Sequence, residues 1–86
     1  MLDQMCLSGI SEESWRAVIE ALVAAGWSMR KGGGLDFSWA VLDRDGMRID
    51  MEYDVWQEGE MAFARGHASA IKANLPVPLI VELKIE

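Results

Sequence analysis

Residues 35–55, LDFSWAVLDRDGMRIDMEYDV, contain two runs in which apolar and polar side chains alternate, separated by a short polar stretch. Alternation with a period of two predicts half-buried β-strands, because successive side chains of a strand point to opposite faces of the sheet. The polar stretch Asp43–Gly46 has the composition of a hairpin turn. The pattern therefore predicts an antiparallel hairpin at the centre of the fold.

The register of this hairpin follows if the apolar side chains of both strands share one face. A three-residue loop of residues 44–46 meets that condition and places Gly46 where a positive φ is needed. The expected core pairs are then Val41–Ile49, Trp39–Met51, Phe37–Tyr53 and Leu35–Val55. The expected pairs on the other face are Leu42–Arg48, Ala40–Asp50, Ser38–Glu52 and Asp36–Asp54.

A helix is predicted upstream of the hairpin, over residues 12–25. Ser11 is suited to accept hydrogen bonds from the first turn, and Gly26 is suited to the left-handed residue that ends a helix. Trp27 is then placed to fold back on Leu22. One apolar stripe at helical spacing is formed by Trp15, Val18, Ile19, Leu22 and Val23.

The remaining segments complete an α+β fold in a single domain of residues 1–86. We expect a mainly antiparallel sheet of four to five strands with two helices on one face, in the order α-β-β-β-β-α and then a final β. The segments are a mobile tail (1–9), a strand (27–30), a flexible glycine loop (31–34), a turn (57–60), a strand (61–64), a helix (67–75) and a strand (79–86).

Composition limits the classes of function. The chain has 86 residues, 51% of them hydrophobic, and a formal charge of −6. An acidic chain is poorly suited to nucleic acid or to an anionic membrane, both of which attract basic surfaces. A single cysteine and the absence of a basic, then apolar N-terminal segment favour a reducing, cytoplasmic compartment. No stretch approaches the roughly 20 apolar residues of a membrane span.

The negative charge is concentrated in one arm. Residues 43–60 contain seven acidic and two basic side chains, a net charge of −5, whereas the other 68 residues have seven acidic and six basic ones. Alternation places Asp50, Glu52 and Asp54 on one strand face, with Trp56 on the same side. The predicted partner-binding residues are Asp36, Asp50, Glu52, Asp54, Trp56 and Glu58.

No catalytic or metal-binding residues are predicted. His67 is the only histidine, and Cys6 has no neighbouring base in the sequence. Residues 43–46 resemble part of a calcium-binding loop but lack its third acidic ligand, so a hairpin turn explains them better. No cofactor is expected.

The leading hypothesis is a non-enzymatic interaction module that binds a basic protein through the acidic face, for example as an immunity or inhibitor-type protein. An alternative is a ligand-binding or regulatory domain with a pocket between sheet and helices, lined by Met29, Met51, Met61 and an aromatic ring. A metal-dependent enzyme is a third interpretation. An open strand edge, near Met61 or in the C-terminal strand, would allow a homodimer.

Overall fold

The computed structural model describes residues 3–85 and has one five-stranded antiparallel sheet. The strands are β1 Gln4–Ile10, β2 Ser28–Gly33, β3 Phe37–Arg44, β4 Met47–Asp54 and β5 Glu58–Ala64, and their order in the sheet is β1-β5-β4-β3-β2. The α-helices are α1 Glu12–Ala24, α2 Ala68–Lys72 and α3 Val77–Leu83, and a 3-10 turn, Arg65–His67, leads into α2. The α+β class and the central order α-β-β-β-β-α are confirmed.

Both ends of α1 form as the sequence indicates. The Ser14 N–H donates to the Ser11 hydroxyl over 3.2 Å. At the other end the N–H groups of Gly26 and Trp27 donate to the carbonyls of Val23 and Leu22, each over 3.0 Å. Gly26 has φ +101°, in the region that favours glycine. These local contacts fix where α1 begins and ends.

The helices cover one face of the sheet, which we call the inner face. Trp15 of α1 packs there against Tyr53 of β4, with ring centroids 5.9 Å apart. Glu82 of α3 accepts a hydrogen bond from Ser14 of α1, which joins the two helices. The largest buried side chains of the sheet all lie on the inner face: Leu42, Ile49, Met51, Met61 and Phe63.

The predicted register of the central hairpin is wrong by one residue. Leu42 pairs with Ile49 and Ala40 with Met51, so Phe37, Trp39 and Val41 point away from the core. The turn has two residues, Asp45 and Gly46, with φ +52° and +82°. Positive φ at both central residues is the backbone of a type I′ turn, for which Asp-Gly is a preferred dipeptide.

The N-terminal segment also differs from its expectation. Residues 4–9, expected in a mobile tail, form the edge strand β1 beside β5 together with Ile10, while residues 1 and 2 lie outside the described part of the chain. Gly32 and Gly33, expected in a flexible loop, pair with Trp39 and Ser38. Strand β5 begins at Glu58, so the turn before it comprises residues 55–57 instead of 57–60.

The C-terminal segment forms helix α3, not the expected strand. Its half-buried or buried residues are Leu79, Ile80 and Leu83, which have helical spacing, whereas Val81 is 68% exposed. Proline near the first helical position already has the φ that a helix needs. Residue 86 lies outside the described residues. Within residues 3–85, none of the helices is long and apolar enough to cross a membrane.

Candidate functional site

The outer face of the sheet, opposite the helices, places exposed aromatic rings beside carboxylates. Phe37 lies opposite Asp54, and Trp39 lies opposite Glu52. The two rings are 39% and 38% exposed. The prediction that Phe37 and Trp39 belong to the core is therefore wrong, and the predicted pair Asp36–Asp54 is replaced by Phe37–Asp54.

Strand β5 adds two more carboxylates to the same two rows. Glu58 lies opposite Asp54, and Glu60 lies opposite Glu52. Like charges that face each other across strands repel each other and destabilise the fold. A contribution to folding stability therefore does not explain either row. We call this surface the acidic–aromatic face and define it by the residues Phe37, Trp39, Glu52, Asp54, Glu58 and Glu60.

Sequence reasoning missed three members of this face. The sequence pattern places Glu60 in a turn and the two aromatic residues in the core. The Asp45-Gly46 dipeptide was the signal that could have identified the rings, because a two-residue turn at this dipeptide gives the observed register.

The next two rows of the outer face contain cations that offset their carboxylates. Arg48 binds the Asp50 carboxylate with an N–O distance of 2.9 Å. This hydrogen bond, with the charges of Asp50 and Asp43, raises the pKa of the Arg48 guanidinium. Arg30 of β2 lies opposite Val41 in the Asp50 row. Asp50 therefore lies on the predicted face but is already engaged by a cation.

The acidic–aromatic face has no such compensation. The salt bridges within residues 3–85 join Arg16 to Glu12, Arg44 to Asp45, Arg48 to Asp50 and Arg65 to Asp3. None of them includes Glu52, Asp54, Glu58 or Glu60. Five of the seven carboxylates in the arm are therefore in no salt bridge; four of them lie in these two adjacent rows, and the fifth, Asp43, lies opposite Arg48.

Two loops meet beside this face and expose further apolar side chains. The Val55 N–H donates to the Asp36 carbonyl over 3.2 Å, and the Trp56 N–H donates to the Asp54 carboxylate over 2.7 Å. Trp56 is 83% exposed, and Leu35 is fully exposed. We call Leu35, Asp36, Val55 and Trp56 the tip. The predicted site residues Asp36 and Trp56 thus lie next to Asp54.

A second candidate site is a groove on the inner face, where α1 does not cover the edge of the sheet. Its volume is about 780 Å³, within the range of small-molecule sites. The floor includes Met29, Ser38 and Ala40, and the wall includes Ile19 and Val23 of α1. Two of the methionines expected there, Met51 and Met61, are buried in the core and do not line the groove.

Other chemistry-bearing side chains in the described part of the chain do not form a metal-binding cluster. Among residues 3–85, no group of three His, Cys, Asp or Glu side chains is arranged to hold a metal ion. Cys6 is exposed on β1, opposite Ala62. The His67 imidazole has a buried Nδ1 with no hydrogen-bond partner in the described part of the chain.

The comparisons with known proteins add no information about this site. No family model matches the chain, and neither a curated protein nor a solved structure matches it.

Proposed function

We propose that this protein is an interaction module that binds a basic partner protein through the acidic–aromatic face. The observation that carries this proposal is the pair of adjacent rows in which four carboxylates without a salt bridge lie beside two exposed aromatic rings. Exposed aromatic rings surrounded by polar groups are typical of binding hot spots.

The two kinds of side chain have different roles in such a complex. The carboxylates attract a positively charged partner and orient it as it approaches. Phe37 and Trp39 supply apolar area that is buried on contact, and Trp56 extends that area at the tip. Affinity is then concentrated in the rings, whereas association rate and specificity depend on charge.

One concrete form of this function is an inhibitor of the immunity-protein type, which covers the basic surface of a nucleic-acid-acting enzyme. The protein is then not itself an enzyme and acts in the cytoplasm, where a single free thiol such as that of Cys6 stays reduced. Its small size and its net charge of −6 support this form.

The test compares partner capture by the wild-type protein and by the variant E52Q/D54N/E58Q/E60Q from a lysate of the source organism. We expect the wild type to retain a basic protein at low salt and to release it at high salt. The variant should capture at least tenfold less of this protein at low salt. Recovery of the same proteins by both, at any salt concentration, would contradict the proposal.

Asp50 provides a control within the same strand. D50N removes one negative charge, as E52Q does, and both positions lie on the outer face of β4. Because Arg48 already holds Asp50, D50N should weaken capture less than E52Q does. Equal losses of capture by D50N and E52Q would mean that capture depends on the total charge of the protein and not on the acidic–aromatic face.

The groove supports a second candidate function, a small ligand-binding or regulatory domain. The carrying observation is a volume of about 780 Å³ between α1 and the sheet, lined by apolar side chains together with Arg16, Glu20 and Lys31. Saturable binding of an apolar fluorophore, abolished when S38F fills the floor, would favour this function. A fluorophore that binds equally to wild type and S38F would dismiss it.

A further inference from the structure

The acidic–aromatic face repeats the same pair of groups twice along the strand direction. Trp39 lies opposite Glu52, and two residues further along each strand Phe37 lies opposite Asp54. Directly opposed side chains have Cβ atoms about 4.5–5.5 Å apart, and residues two apart on a strand are about 6.5–7 Å apart. The face therefore presents two aromatic–carboxylate pairs at a fixed spacing.

Each pair combines two groups that attract the same kind of ligand. A cation is stabilised over an aromatic face and also by a carboxylate, and a guanidinium satisfies both because it is planar, charged and rich in donors. A surface with carboxylates alone would be explained by solvation. The exposed rings in the same rows distinguish the acidic–aromatic face from such a solvated surface.

The indole of Trp39 is held in place for such a contact. It lies over Gly32 of β2, where a Cβ would come within 2.8 Å of its ring atoms. Glycine at this position lets the ring rest on the neighbouring strand, and the ring is still 38% exposed. One side of the indole is thereby supported while solvent reaches the remainder.

The shape of the face favours an extended ligand. The two rings belong to β3 alone, so the apolar stripe of the face is one strand wide, about 4.7–4.9 Å, and the carboxylates lie beside it on β4 and β5. A helix docks through a broader apolar stripe. Alternate side chains of an extended peptide repeat at the same 6.5–7 Å as the two pairs.

The next row, that of Val41 and Asp50, restricts the ligand to two cations on this face. Here Val41 lies opposite Asp50, whose carboxylate is bound by Arg48, and Arg30 lies on the other side of Val41. A third basic side chain would meet two arginines. Beyond the Phe37 row, the exposed Trp56 and Leu35 of the tip offer apolar contacts instead.

We infer that the partner segment is an extended peptide with two basic side chains, arginine above all, at alternate positions, one on the Trp39–Glu52 pair and one on the Phe37–Asp54 pair. This inference rests on the proposed function and specifies its ligand. A residue that is not basic occupies the position facing Val41, and an apolar residue faces the tip.

The experiment uses three synthetic peptides of identical composition, with two arginines separated by one threonine, adjacent, or separated by two threonines. Only the first spacing puts both arginines on one side of an extended chain. In ¹H–¹⁵N NMR titrations at low salt, we expect it to bind at least fivefold more tightly than the others. The perturbed resonances should include residues 37, 39, 52 and 54.

Variants of the rings test the aromatic contribution. F37L and W39L keep apolar bulk but remove the π system, and each should weaken binding of the first peptide at least threefold, towards the affinity of the other two. V81L, at an exposed position of α3 on the opposite side of the sheet, should leave its affinity unchanged. Dispersion of the NMR spectrum shows whether each variant is folded. If W39L is unfolded, F37L alone tests the aromatic contribution.

Equal affinities for the three peptides would overturn the inference, and so would unchanged affinities in F37L and W39L. If E52Q/D54N nevertheless abolishes binding of all three peptides, the proposed function stands without the spacing rule. If no peptide binds and the four-carboxylate variant captures the same proteins as wild type, both fail. A dimer in sedimentation that E52Q/D54N dissociates would assign the face to a second copy and overturn the inference.

Discussion

Glu58 has both an unfavourable backbone conformation and an unfavourable position beside another carboxylate. Its φ of +64° lies in the left-handed region, which costs a non-glycine residue about 1–2 kcal/mol. It follows a three-residue loop, and glycine is the usual residue at this place in such a hairpin. Its carboxylate lies opposite Asp54, where it is repelled. Strain of this kind is commonly retained where a side chain has a binding role.

Replacement of Glu58 by glycine should therefore separate stability from binding. E58G should raise the free energy of unfolding by about 1 kcal/mol, because glycine adopts positive φ without a steric penalty. The same variant should weaken partner capture, because one carboxylate of the acidic–aromatic face is lost. Urea denaturation and the pull-down measure the two effects.

Lys84 supplies the matched control. It also has a positive φ, +58°, but follows α3, away from the acidic–aromatic face. K84G should stabilise the protein by a similar amount and leave capture unchanged. If E58G loses stability, or if both variants bind alike, Glu58 has no special role at the interface.

At the scale of elements, α1 approaches β5 closely because Gly59 has no side chain. A Cβ at position 59 would lie 2.7 Å from Trp15 Cδ1 and 3.0 Å from the Ile10 carbonyl oxygen. Trp15 is almost completely buried, so its ring has little room to move. A side chain at residue 59 would therefore force Trp15 and the helix layer to shift away from the sheet.

G59A should thus lower the free energy of unfolding by about 1–3 kcal/mol, the usual cost of overpacking a dense core. In a domain of this size, each kcal/mol corresponds to a decrease in Tm of about 4–8 °C. Calorimetry measures the loss, and G66A is the control, since a Cβ there meets nothing within 4 Å. Equal melting temperatures for G59A and G66A would disprove this packing contact.

Elements whose signals are local could be predicted from the sequence, and those set by tertiary pairing could not. The start and end of α1 depend on residues within one turn of each end, and they agree with Ser11 and Gly26. In β3, both alternating sets, 37/39/41 and 40/42, contain apolar residues, so hydrophobicity could not decide which set faces the helices. The choice depends on the turn at Asp45-Gly46.

The same limit applies to α3 and to the candidate site. Residues 79–81 are consecutive apolar residues, and such a run fits a strand as well as a helix. Alternation correctly placed Asp50, Glu52 and Asp54 on one face, because that property needs only one strand. The neighbours of these carboxylates depend on pairing between strands, which is why the aromatic rings were missed.

In the molecule as a whole, the buried core and the surface carboxylates lie on opposite faces of the sheet. The inner face contains the buried core, whereas the outer face has two rows with four uncompensated carboxylates next to two rows with compensating cations. The opposed pairs Glu52–Glu60 and Asp54–Glu58 repel each other in the free protein. A bound cationic partner would relieve this repulsion, so the free protein is less stable than its packing alone would allow.

This asymmetry predicts how stability depends on salt. Moderate sodium chloride, up to about 0.5 M, screens surface charges and should raise the Tm of the wild-type protein by a few degrees. E52Q/D54N/E58Q/E60Q, whose formal charge changes from −6 to −2, should melt higher at low salt and show at most half of this dependence. Thermal melts over a salt series measure both effects, with D50N as the single-charge control. Equal salt dependence in the wild type and the four-carboxylate variant would place the repulsion elsewhere in the molecule.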